Sequence, residues 1–254
     1  MNLLLLDPAE IGGAGGEVVI AGGDRRARHA REVLRAAVGQ RLRAGVARGA
    51  TGQAEVLALE PDLRLRVLLD GPASPRPAVD LIAAVPRPKA LSRLVQAAAS
   101  LGVGRIDLVN AWRVDKSYFD SPRLAPAALA VDARLGCEQG GTTWVPELAV
   151  HRLLMPFLAA APWPAGGTLL VAHPRGDALI EQAVPPGHSG HVVLAVGPEG
   201  GWIDRELASL TDLGFRAVRL GAAVLRADTA VAALLAQIDL LRRLPGPGVS
   251  NAGD

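Results

Sequence analysis

The feature that most constrains the fold is an alternation of strand-like and helix-like segments after residue 77. Val79–Val85 is largely apolar, as expected of a strand that is covered on both faces of a sheet. Lys89–Leu101 then has apolar residues at helical spacing, and Gly102 ends that pattern. Because such pairs repeat along the chain, we predict a mostly parallel α/β sheet. The other predicted strands are Arg105–Asn110, Thr168–Ala172, His191–Val196 and Ala217–Leu220, and the other predicted helices are Pro126–Gly136, Asp204–Leu213 and Asp228–Leu244.

Residues 1–72 have a different pattern, in which short apolar runs are separated by Gly and Pro. This pattern favours a small β-barrel. Arg28–Arg35 is predicted to form one short helix whose Val33 and Leu34 face the core, and Gly39 ends it. The predicted strands are a first strand within Met1–Leu6, followed by Gln40–Ala44, Gln53–Leu59 and Leu63–Leu69.

A linker separates the two patterns. Gly71–Pro77 contains three prolines, and this density of proline cannot continue a helix or a central strand. We therefore predict one domain over residues 1–72 and a second over residues 78–245. The Gly- and Pro-rich stretch 246–254 is predicted to be a disordered tail.

Composition and cysteine usage narrow the class of protein. Half of the 254 residues are apolar, yet eighteen consecutive apolar residues occur nowhere, so no membrane span is expected. Met1–Pro8 has no basic leader and is interpreted as a strand rather than a signal peptide. Cys137 is the only cysteine, which excludes an intrachain disulfide and a thiolate metal cluster and favours a reducing compartment, the cytoplasm. No metal is expected, because His188 and His191 are interpreted as surface residues.

Arginine accounts for most of the positive charge. The chain has 27 basic residues and a net charge of +2, and only Lys89 and Lys116 are lysines. Eight arginines and two acids lie in the segment from Asp24 to Arg48. A GC-rich genome explains the excess of arginine, whereas the clustering predicts a surface that contacts RNA phosphates; an ordinary solvated face is the alternative. The candidate RNA-binding residues are Arg25, Arg26, Arg28, Arg31, Arg35 and Lys116.

Three predicted loops follow strands, which is where ligands of parallel sheets usually bind. They are Val171–Pro174, Gly197–Gly201 and Leu220–Ala230. The glycines of the middle loop allow the backbone to pass close to a ligand, and Asp204 is predicted to cap the helix that follows. Neither standard phosphate-binding motif, G-x-G-x-x-G or G-x-x-x-x-G-K-[ST], occurs in the chain.

The middle and last loops resemble those of a known family. Val192–Val196 with Gly197-Pro198-Glu199-Gly200-Gly201, and Leu220-Gly221 through Leu225-Arg226-Ala227-Asp228-Thr229-Ala230, are similar to the ribosomal RNA small subunit methyltransferase E family of the SPOUT superfamily. The resemblance extends in the same order over nearly the whole chain. The other matching segments are Glu138-Gln139 with Val145-Pro146-Glu147, Leu101-Gly102-Val103 with Arg105-Ile106, Gly214-Phe215, and His29 with Val33-Leu34-Arg35 and Gly39.

This resemblance implies a C-terminal SPOUT domain with a trefoil knot, an N-terminal PUA-like RNA-binding barrel and a homodimer. The helix Thr229–Leu241 is apolar on nearly every side, which predicts burial all round with one face at a subunit interface. The resemblance also implies methyl transfer from S-adenosylmethionine to N3 of a uridine in small-subunit (16S) ribosomal RNA, as free RNA or within the 30S subunit. The cofactor is expected to be held largely by backbone groups of the three loops. The cofactor-binding residues implied are Val171, Ala172, His173, Pro174, Gly197, Pro198, Glu199, Gly200, Leu220, Gly221, Val224, Leu225 and Arg226.

The chain departs from the family pattern at several places. Ala227-Asp228-Thr229 stands where Thr or Ser, then Glu and Thr are usual, so the carboxylate is one methylene shorter. The helical segment Gln96–Gly102 lacks the usual Lys and Glu, and Asn110-Ala111-Trp112-Arg113 replaces a Thr-Glu-Arg stretch. The cofactor loops therefore match the family better than the side that is expected to face RNA.

Arg226, Asp228 and Thr229 are the candidate catalytic residues. Arg226 is predicted to stabilise the negative charge that develops on uracil when N3 loses its proton; the alternative is a structural ion pair with Asp228 or Glu199. Asp228 either accepts that proton, orients Arg226 or caps the last helix. Thr229 either hydrogen-bonds the base or caps the helix, and Glu199 either binds ribose or RNA or satisfies donors of its own loop. His173 is expected to shape the cofactor loop.

Two competing functions come from other classes of protein. A non-catalytic RNA-binding assembly factor would keep the fold without methyl transfer, but the intact cofactor loops argue against it. A conventional nucleotide-dependent α/β enzyme is disfavoured by the missing phosphate motifs. Binding of S-adenosylmethionine separates the first alternative from the methyltransferase, and a knotted chain excludes the second.

Overall fold

The computed structural model describes residues 2–12, 16–161 and 164–246. Of the predicted tail 246–254, only Gly246 belongs to these residues. Within the same stretches, no helix has both the length and the apolar character needed to cross a membrane.

The chain divides into two compact units. Unit 1 contains the described residues up to Arg76 together with Cys137–Val145, and unit 2 contains the remaining described residues. The sequence predicted that Cys137–Val145 belongs to the second domain, residues 78–245. The structure instead places this segment in unit 1. In unit 1 the segment is attached by reciprocal hydrogen bonds: Ser74 N–H donates to the Thr143 hydroxyl at 3.0 Å, and Thr143 N–H donates to the Ser74 hydroxyl at 2.9 Å.

Unit 1 is built on a five-stranded sheet with the order β1-β3-β4-β5-β2. β1 and β3 are parallel, and the other neighbours are antiparallel. Side chains alternate between core and solvent along β5, where Leu63 and Leu65 are buried and Arg64 and Arg66 are exposed. The strands are β1 (Leu4–Leu6), β2 (Glu17–Ile20), β3 (Arg41–Val46), β4 (Ala50–Ala58) and β5 (Leu63–Ala73).

Strand β5 extends through Pro72, which lies in the predicted linker. The register of β5 with β4 continues to Ala73, whereas its register with β2 ends at Arg66. Pro72 therefore occupies a part of the strand that is paired on one side in the described chain. Proline is tolerated there because its missing N–H is not needed for a second ladder. The predicted end of this strand at Leu69 was thus too early.

The helical segment of unit 1 begins earlier than predicted. α1 (Arg25–Arg28) is followed directly by a π-helical turn over His29–Val33, and Asp24 caps α1 by accepting from the N–H of Arg26 at 2.7 Å. The prediction that Val33 and Leu34 face the core was wrong, because these side chains are 66% and 36% exposed. The small residues Ala27 and Ala30 are buried instead.

Unit 2 contains a seven-stranded sheet in which every neighbouring pair is parallel, in the order β10-β12-β9-β11-β6-β7-β8. This confirms the predicted parallel α/β architecture. β11 lies near the centre of the sheet, and all five of its residues are buried. The strands are β6 (Val79–Ala84), β7 (Arg105–Val109), β8 (Glu147–His151), β9 (Thr168–Ala172), β10 (Ala178–Leu179), β11 (Val192–Val196) and β12 (Arg216–Arg219).

Helices alternate with these strands. The helix α2 is amphipathic, with Leu91, Leu94 and Val95 buried. The predictions did not include α4, α5 or the strands β8 and β10. The helices are α2 (Pro88–Ser100), α3 (Pro126–Gly140), α4 (Leu154–Ala160), α5 (Ile180–Ala183), α6 (Asp204–Asp212) and α7 (Ala227–Arg243), and 3-10 turns lie at Pro8–Glu10, Lys116–Asp120 and Pro122–Leu124.

The last helix, α7, has one buried side rather than two. It packs against α2, α5 and β11, and its buried residues recur at helical spacing. Ala236 is exposed, and Leu240 is 46% exposed. Within the single chain one face is buried, and the other, exposed face is the one predicted to lie at a subunit interface; that interface stays a prediction.

Arg26 anchors the core of unit 1. Its side chain is 9% exposed and donates to Glu10 Oε1 at 2.6 Å, to Asp24 Oδ2 at 2.9 Å and to the carbonyl of Leu5 at 3.1 Å. Burial acts to lower the pKa of Arg26, but the hydrogen bonds to Glu10 and Asp24 raise it above its ordinary value. The guanidinium stays charged and enclosed. The prediction that Arg26 contacts RNA was therefore wrong.

Replacing Arg26 with leucine should lower the free energy of unfolding by about 2 kcal/mol, because hydrogen bonds to charged groups are each worth about 1.5–3 kcal/mol. Urea denaturation followed by circular dichroism measures this difference. The matched control is Arg28→Leu, since Arg28 is exposed on the same helix; its effect should stay below about 0.5 kcal/mol. Equal losses in the two variants would contradict the anchoring role of Arg26.

Candidate functional site

Three loops meet at one edge of the sheet in unit 2. Ala172 of β9 is paired with Val196 of β11 on one side and with Val218 of β12 on the other. Because the strands are parallel and end at the same level, the loops that follow them leave the sheet side by side. They enclose a cavity of about 390 Å³, a size that is usual for small-molecule sites.

Most of the predicted cofactor-binding residues line this cavity. Val171 does not, because it is fully buried within β9, and neither does Arg226, whose side chain is 70% exposed. The predicted residues that line the cavity are Ala172, His173, Pro174, Gly197, Pro198, Glu199, Gly200, Leu220, Gly221, Val224 and Leu225. The lining residues that the sequence did not single out as cofactor-binding are Arg113, Arg175, Val196, Gly201, Trp202, Asp204, Val218, Arg219, Ala223, Ala227, Ala230 and Leu234.

Glycine is required in the middle loop. A Cβ atom on Gly197 would lie 3.0 Å from the indole nitrogen of Trp202 and 3.1 Å from two of its ring carbons. Gly201 has a φ of 75°, a conformation that side chains disfavour. Its N–H donates to the carbonyl of Pro198 at 2.8 Å and closes a tight turn. The loop therefore presents main-chain atoms to the cavity.

Trp202 provides an unsatisfied donor at the cavity. The side chain is 4% exposed, and within the described part of the protein its Nε1 has no hydrogen-bond partner. A buried donor that stays unpaired costs about 1–3 kcal/mol. Because Nε1 has almost no accessible surface, the indole N–H packs beneath the loop at Gly197 rather than facing the open space of the cavity.

His173 is a neutral member of the cavity wall. Its N–H donates to the carbonyl of Val218 at 2.9 Å, and its Nδ1 accepts from the N–H of Arg175 at 3.2 Å. Burial and the positive charge of Arg175 lower the pKa of His173 and outweigh the opposite effect of Asp204. These contacts hold the turn from His173 to Arg175, and the role of His173 in shaping the cofactor loop stays a prediction.

A buried carboxylate connects the loop after β7 to the start of α6. Glu206 is 4% exposed and accepts from the N–H of Trp112 at 2.7 Å and from the N–H of Ile203 at 3.0 Å. Asp204 was predicted to cap α6, and this was wrong, because Asp204 is the first residue of the helix and Ile203 is its N-cap. The N–H of Ile203 is satisfied by the side chain of Glu206. The neighbouring Arg113 donates to the carbonyl of Gly200 at 2.5 Å.

Asp228 lies between two arginines. Its Oδ2 accepts from Nε and a terminal nitrogen of Arg93, at 3.2 and 3.1 Å, and its Oδ1 lies 3.7 Å from Nε of Arg226. Burial acts to raise the pKa of Asp228, but Arg93 and Arg226 lower it below its ordinary value. The predicted capping role of Asp228 and Thr229 was wrong, because the N-cap position of α7 belongs to Arg226. The structure thus brings Arg226 and Asp228 together, as one of the predicted alternatives required.

Glu199 and Thr229 are both exposed beside these groups. Glu199 Oε1 accepts from the N–H of Arg87 at 3.5 Å, which is a long hydrogen bond. The N–H of Thr229 donates to Asp228 Oδ1 at 3.1 Å. Both side chains are therefore accessible to a ligand.

The arginine cluster of unit 1 separates into structural and accessible members. Both carboxylate oxygens of Glu138 accept from Arg25 at 2.7 Å, and Arg31 donates to the carbonyls of Gly22 and Leu59. Four other arginines are exposed and form no ion pair with a described residue: Arg28, Arg35, Arg41 and Arg43. In unit 2, Lys116 is likewise exposed.

Among residues 2–12, 16–161 and 164–246, no group of His, Cys, Asp and Glu is arranged to hold a metal ion.

Comparison with known proteins identifies the class. A family model described as "RNA methyltransferase domain" matches residues 73–239, so the parallel sheet and its cavity define an RNA methyltransferase fold. The chain is 30% identical over 234 residues to the ribosomal RNA small subunit methyltransferase E of Mycobacterium tuberculosis. The aligned region covers 89% of this chain and 87% of that relative. It is 26% identical over 258 residues to the protein of the same name from Treponema pallidum, and this alignment covers 98% of the chain and 96% of that relative. The chain belongs to the ribosomal RNA small subunit methyltransferase E family.

A solved structure agrees with this assignment. The ribosomal RNA small subunit methyltransferase E of Neisseria gonorrhoeae, bound to S-adenosylmethionine, superposes with a TM-score of 0.73 at 25% identity. The match covers 94% of this chain and 97% of that chain. The similarity therefore extends over both units.

Proposed function

We propose that this protein methylates N3 of a uridine in small-subunit (16S) ribosomal RNA, with S-adenosylmethionine as the methyl donor. The observation that carries this proposal is the cavity at the ends of β9, β11 and β12, which is lined by the glycines of the middle loop. Family membership supports the reaction, and the Neisseria relative, which binds S-adenosylmethionine, supports the cofactor.

The residues of the cavity fit this cofactor. Apolar side chains such as Leu225 and Leu234 can cover the adenine, and the glycines of the middle loop admit close main-chain contact. A neutral His173 avoids repulsion of a cationic ligand. Bound S-adenosylmethionine supplies a methyl group already activated by the sulfonium, so no metal or covalent intermediate is required.

Arg226 is the residue that we assign to charge stabilisation. When uracil N3–H loses its proton to water, negative charge spreads to O2 and O4, and a preorganised cation lowers the energy of that state. The Arg226 side chain is exposed next to the cavity and free to reach a base. Its ion pair with Asp228 restricts its orientations without burying its charge.

Asp228 serves as a positioning residue in this scheme. A general base works best when its pKa lies near the operating pH, and the pKa of Asp228 is instead lowered by its two arginines. Of the two catalytic roles predicted for Asp228, orientation of Arg226 is therefore favoured over proton acceptance. Glu199 and Thr229 are exposed at the same edge, and we assign to them contacts with the target nucleotide.

The finer architecture belongs to the same proposal. The five-stranded sheet of unit 1 with its exposed arginines is assigned as a PUA-like RNA-binding barrel. The trefoil knot is assigned to the end of unit 2, where α7 packs back against α2 and β11. The exposed face of α7 with Leu240 is assigned to a homodimer interface, and the cytoplasm, where ribosomal RNA is assembled, to the site of action.

Mass spectrometry of ribosomal RNA tests the function. Small-subunit RNA or 30S subunits from a deletion strain are incubated with the purified protein and labelled S-adenosylmethionine, and the modified nucleoside is mapped. We expect N3-methyluridine at one position. Methylation of another base would overturn the N3 assignment, and no methyl transfer to either RNA form would favour the non-catalytic assembly factor.

Replacing Arg226 with alanine should lower kcat by about 10²–10³, the usual cost of losing one group that stabilises developing negative charge. Affinity for S-adenosylmethionine, measured by calorimetry, should stay within about threefold, because Arg226 does not line the cavity. The control is Arg216→Ala, which lies exposed at the start of β12, away from the strand ends that form the cavity, and should keep full activity. An Arg226 variant with unchanged kcat would reject the assignment.

Affinity for S-adenosylmethionine should be constant near neutral pH and fall in acid. The pKa of His173 lies below the ordinary value of about 6.5, so the imidazole gains its proton only in acid, where it adds positive charge beside a sulfonium. His173→Asn keeps an acceptor for the N–H of Arg175 and should abolish this acid dependence. His188→Asn, outside the cavity, should retain it; loss of the dependence in both variants would contradict the role of His173.

Removing accessible arginines from unit 1 should flatten the salt dependence of RNA binding. Arg28→Ala and Arg35→Ala should each lower the slope of log K against log salt by about 1, because each removes one phosphate contact. Arg64→Ala is the control, since Arg64 is exposed but paired with Glu17 at 3.2 Å. Filter binding at several salt concentrations measures the slopes, and wild-type slopes in both test variants would rule out this footprint.

A further inference from the structure

Trp112 is an exposed tryptophan in the loop after β7. Its side chain is 79% exposed, whereas Trp202, across the same loop region, is 4% exposed. A large aromatic ring in water contributes nothing to the stability of the fold, because the favourable free energy of an aromatic comes from burial. The position of Trp112 therefore needs another explanation.

The exposure of Trp112 is imposed by a well-anchored backbone. Ala111 and Val114, on either side, are buried, and the N–H of Val114 donates to the carbonyl of Ala111 at 3.0 Å. The N–H of Trp112 is held by the buried carboxylate of Glu206 at 2.7 Å. The ring is thus directed outward by a fixed turn and is preorganised for a contact.

Trp112 stands next to the mouth of the methyl-donor cavity. Arg113, the following residue, lines the cavity and donates to the carbonyl of Gly200. Val224, in the loop after β12, is 78% exposed and lines the same cavity. Exposed apolar side chains therefore border the opening of this cavity on two sides.

Exposed cations as well as acids lie around the opening. Arg113, Lys116, Arg175 and Arg226 are all exposed on the loops around the opening. The acids on these loops are Asp115, whose carboxylate accepts from the N–H and hydroxyl of Ser117 at 2.9 and 2.8 Å, Glu199 and Asp204, which line the cavity, and Asp228, which pairs with Arg93 and Arg226. An aromatic face among cations is the combination that single-stranded nucleic acids bind, through base stacking and phosphate contacts.

We propose that Trp112 stacks on an unpaired nucleobase of the RNA substrate, next to the nucleotide that enters the cavity. Trp112 does not itself line the cavity, so the stacked base is a neighbour of the methylated one. This inference rests on the proposed function, because it takes RNA as the substrate of the cavity. It gives the loop after β7 a role in selecting an RNA segment whose bases are splayed apart.

The test compares Trp112→Ala and Trp112→Phe with the wild-type protein in steady-state methylation of small-subunit RNA. Stacking on an aromatic side chain is worth about 1–3 kcal/mol per base, so Trp112→Ala should raise KM for RNA about 5- to 150-fold. Affinity for S-adenosylmethionine should not change, and Trp112→Phe should recover most of the loss. Leu153→Ala is the matched control, since Leu153 is an exposed apolar residue of unit 2 that does not line the cavity.

Fluorescence provides a readout that a structural role would not move. RNA should quench tryptophan emission of the wild-type protein, and this quenching should be largely absent in Trp112→Phe. The proposal is overturned if KM for RNA stays within twofold in Trp112→Ala, or if Trp112→Phe quenches like the wild type. It is also overturned if Trp112→Ala changes the oligomeric state in sedimentation velocity, which would make the ring a contact between copies of the chain.

The same experiments separate this inference from the proposed function. Wild-type protein that methylates RNA while Trp112→Ala retains its KM would leave the methyltransferase intact and remove the stacking role. Wild-type protein that transfers no methyl group would remove both.

Discussion

The alignment of three parallel strand ends is the constraint on which the site depends. Val218, Ala172 and Val196 form one row across β12, β9 and β11, so the loops that follow must leave the sheet together. Burial holds this register, because every residue of β11 is enclosed and a slip along the sheet would expose apolar surface. The cavity is therefore a consequence of core packing, and the glycines in its wall, Gly197, Gly200, Gly201 and Gly221, leave main chain open to a ligand. This explains how a chain with few catalytic side chains can bind a complex ligand.

Charge is distributed around this cavity with one carboxylate in a central place. Asp228 is shared by Arg93 of α2 and Arg226 of the last loop, so a helix distant in sequence helps to position the proposed catalytic arginine. The carboxylate of Asp228 has partners although aspartate is shorter than glutamate, because Arg93 donates to its Oδ2 while Arg226 lies near its Oδ1. The departure from the usual glutamate is thus accommodated by a residue outside the loop motif.

Hydrophobic periodicity predicted the elements of the parallel sheet that are long or fully buried. The strand Thr168–Ala172 has the predicted bounds, and the loops after it were located correctly. The edge strand β8 was missed because its residues are half-exposed and show no apolar run. The clustering of arginines in the sequence could not show that Arg26 is buried and Arg28 exposed. The reason is that Arg26 is held by partners that include Glu10, which is distant in sequence. The unpaired donor of Trp202 likewise depends on packing in three dimensions, which no local pattern encodes.

The buried carboxylate of Glu206 has a consequence for how two ligands communicate. It joins the loop that carries Trp112 to the first turn of α6, while Arg113 joins the same loop to Gly200 in the cavity wall. These two connections therefore link the exposed surface at Trp112 to the wall of the cavity. If a ligand that orders one of these surfaces also restricts the other through these connections, thermodynamic linkage makes that effect reciprocal. Occupancy of the inner cavity and affinity at the outer surface are then coupled quantities rather than separate properties of the chain.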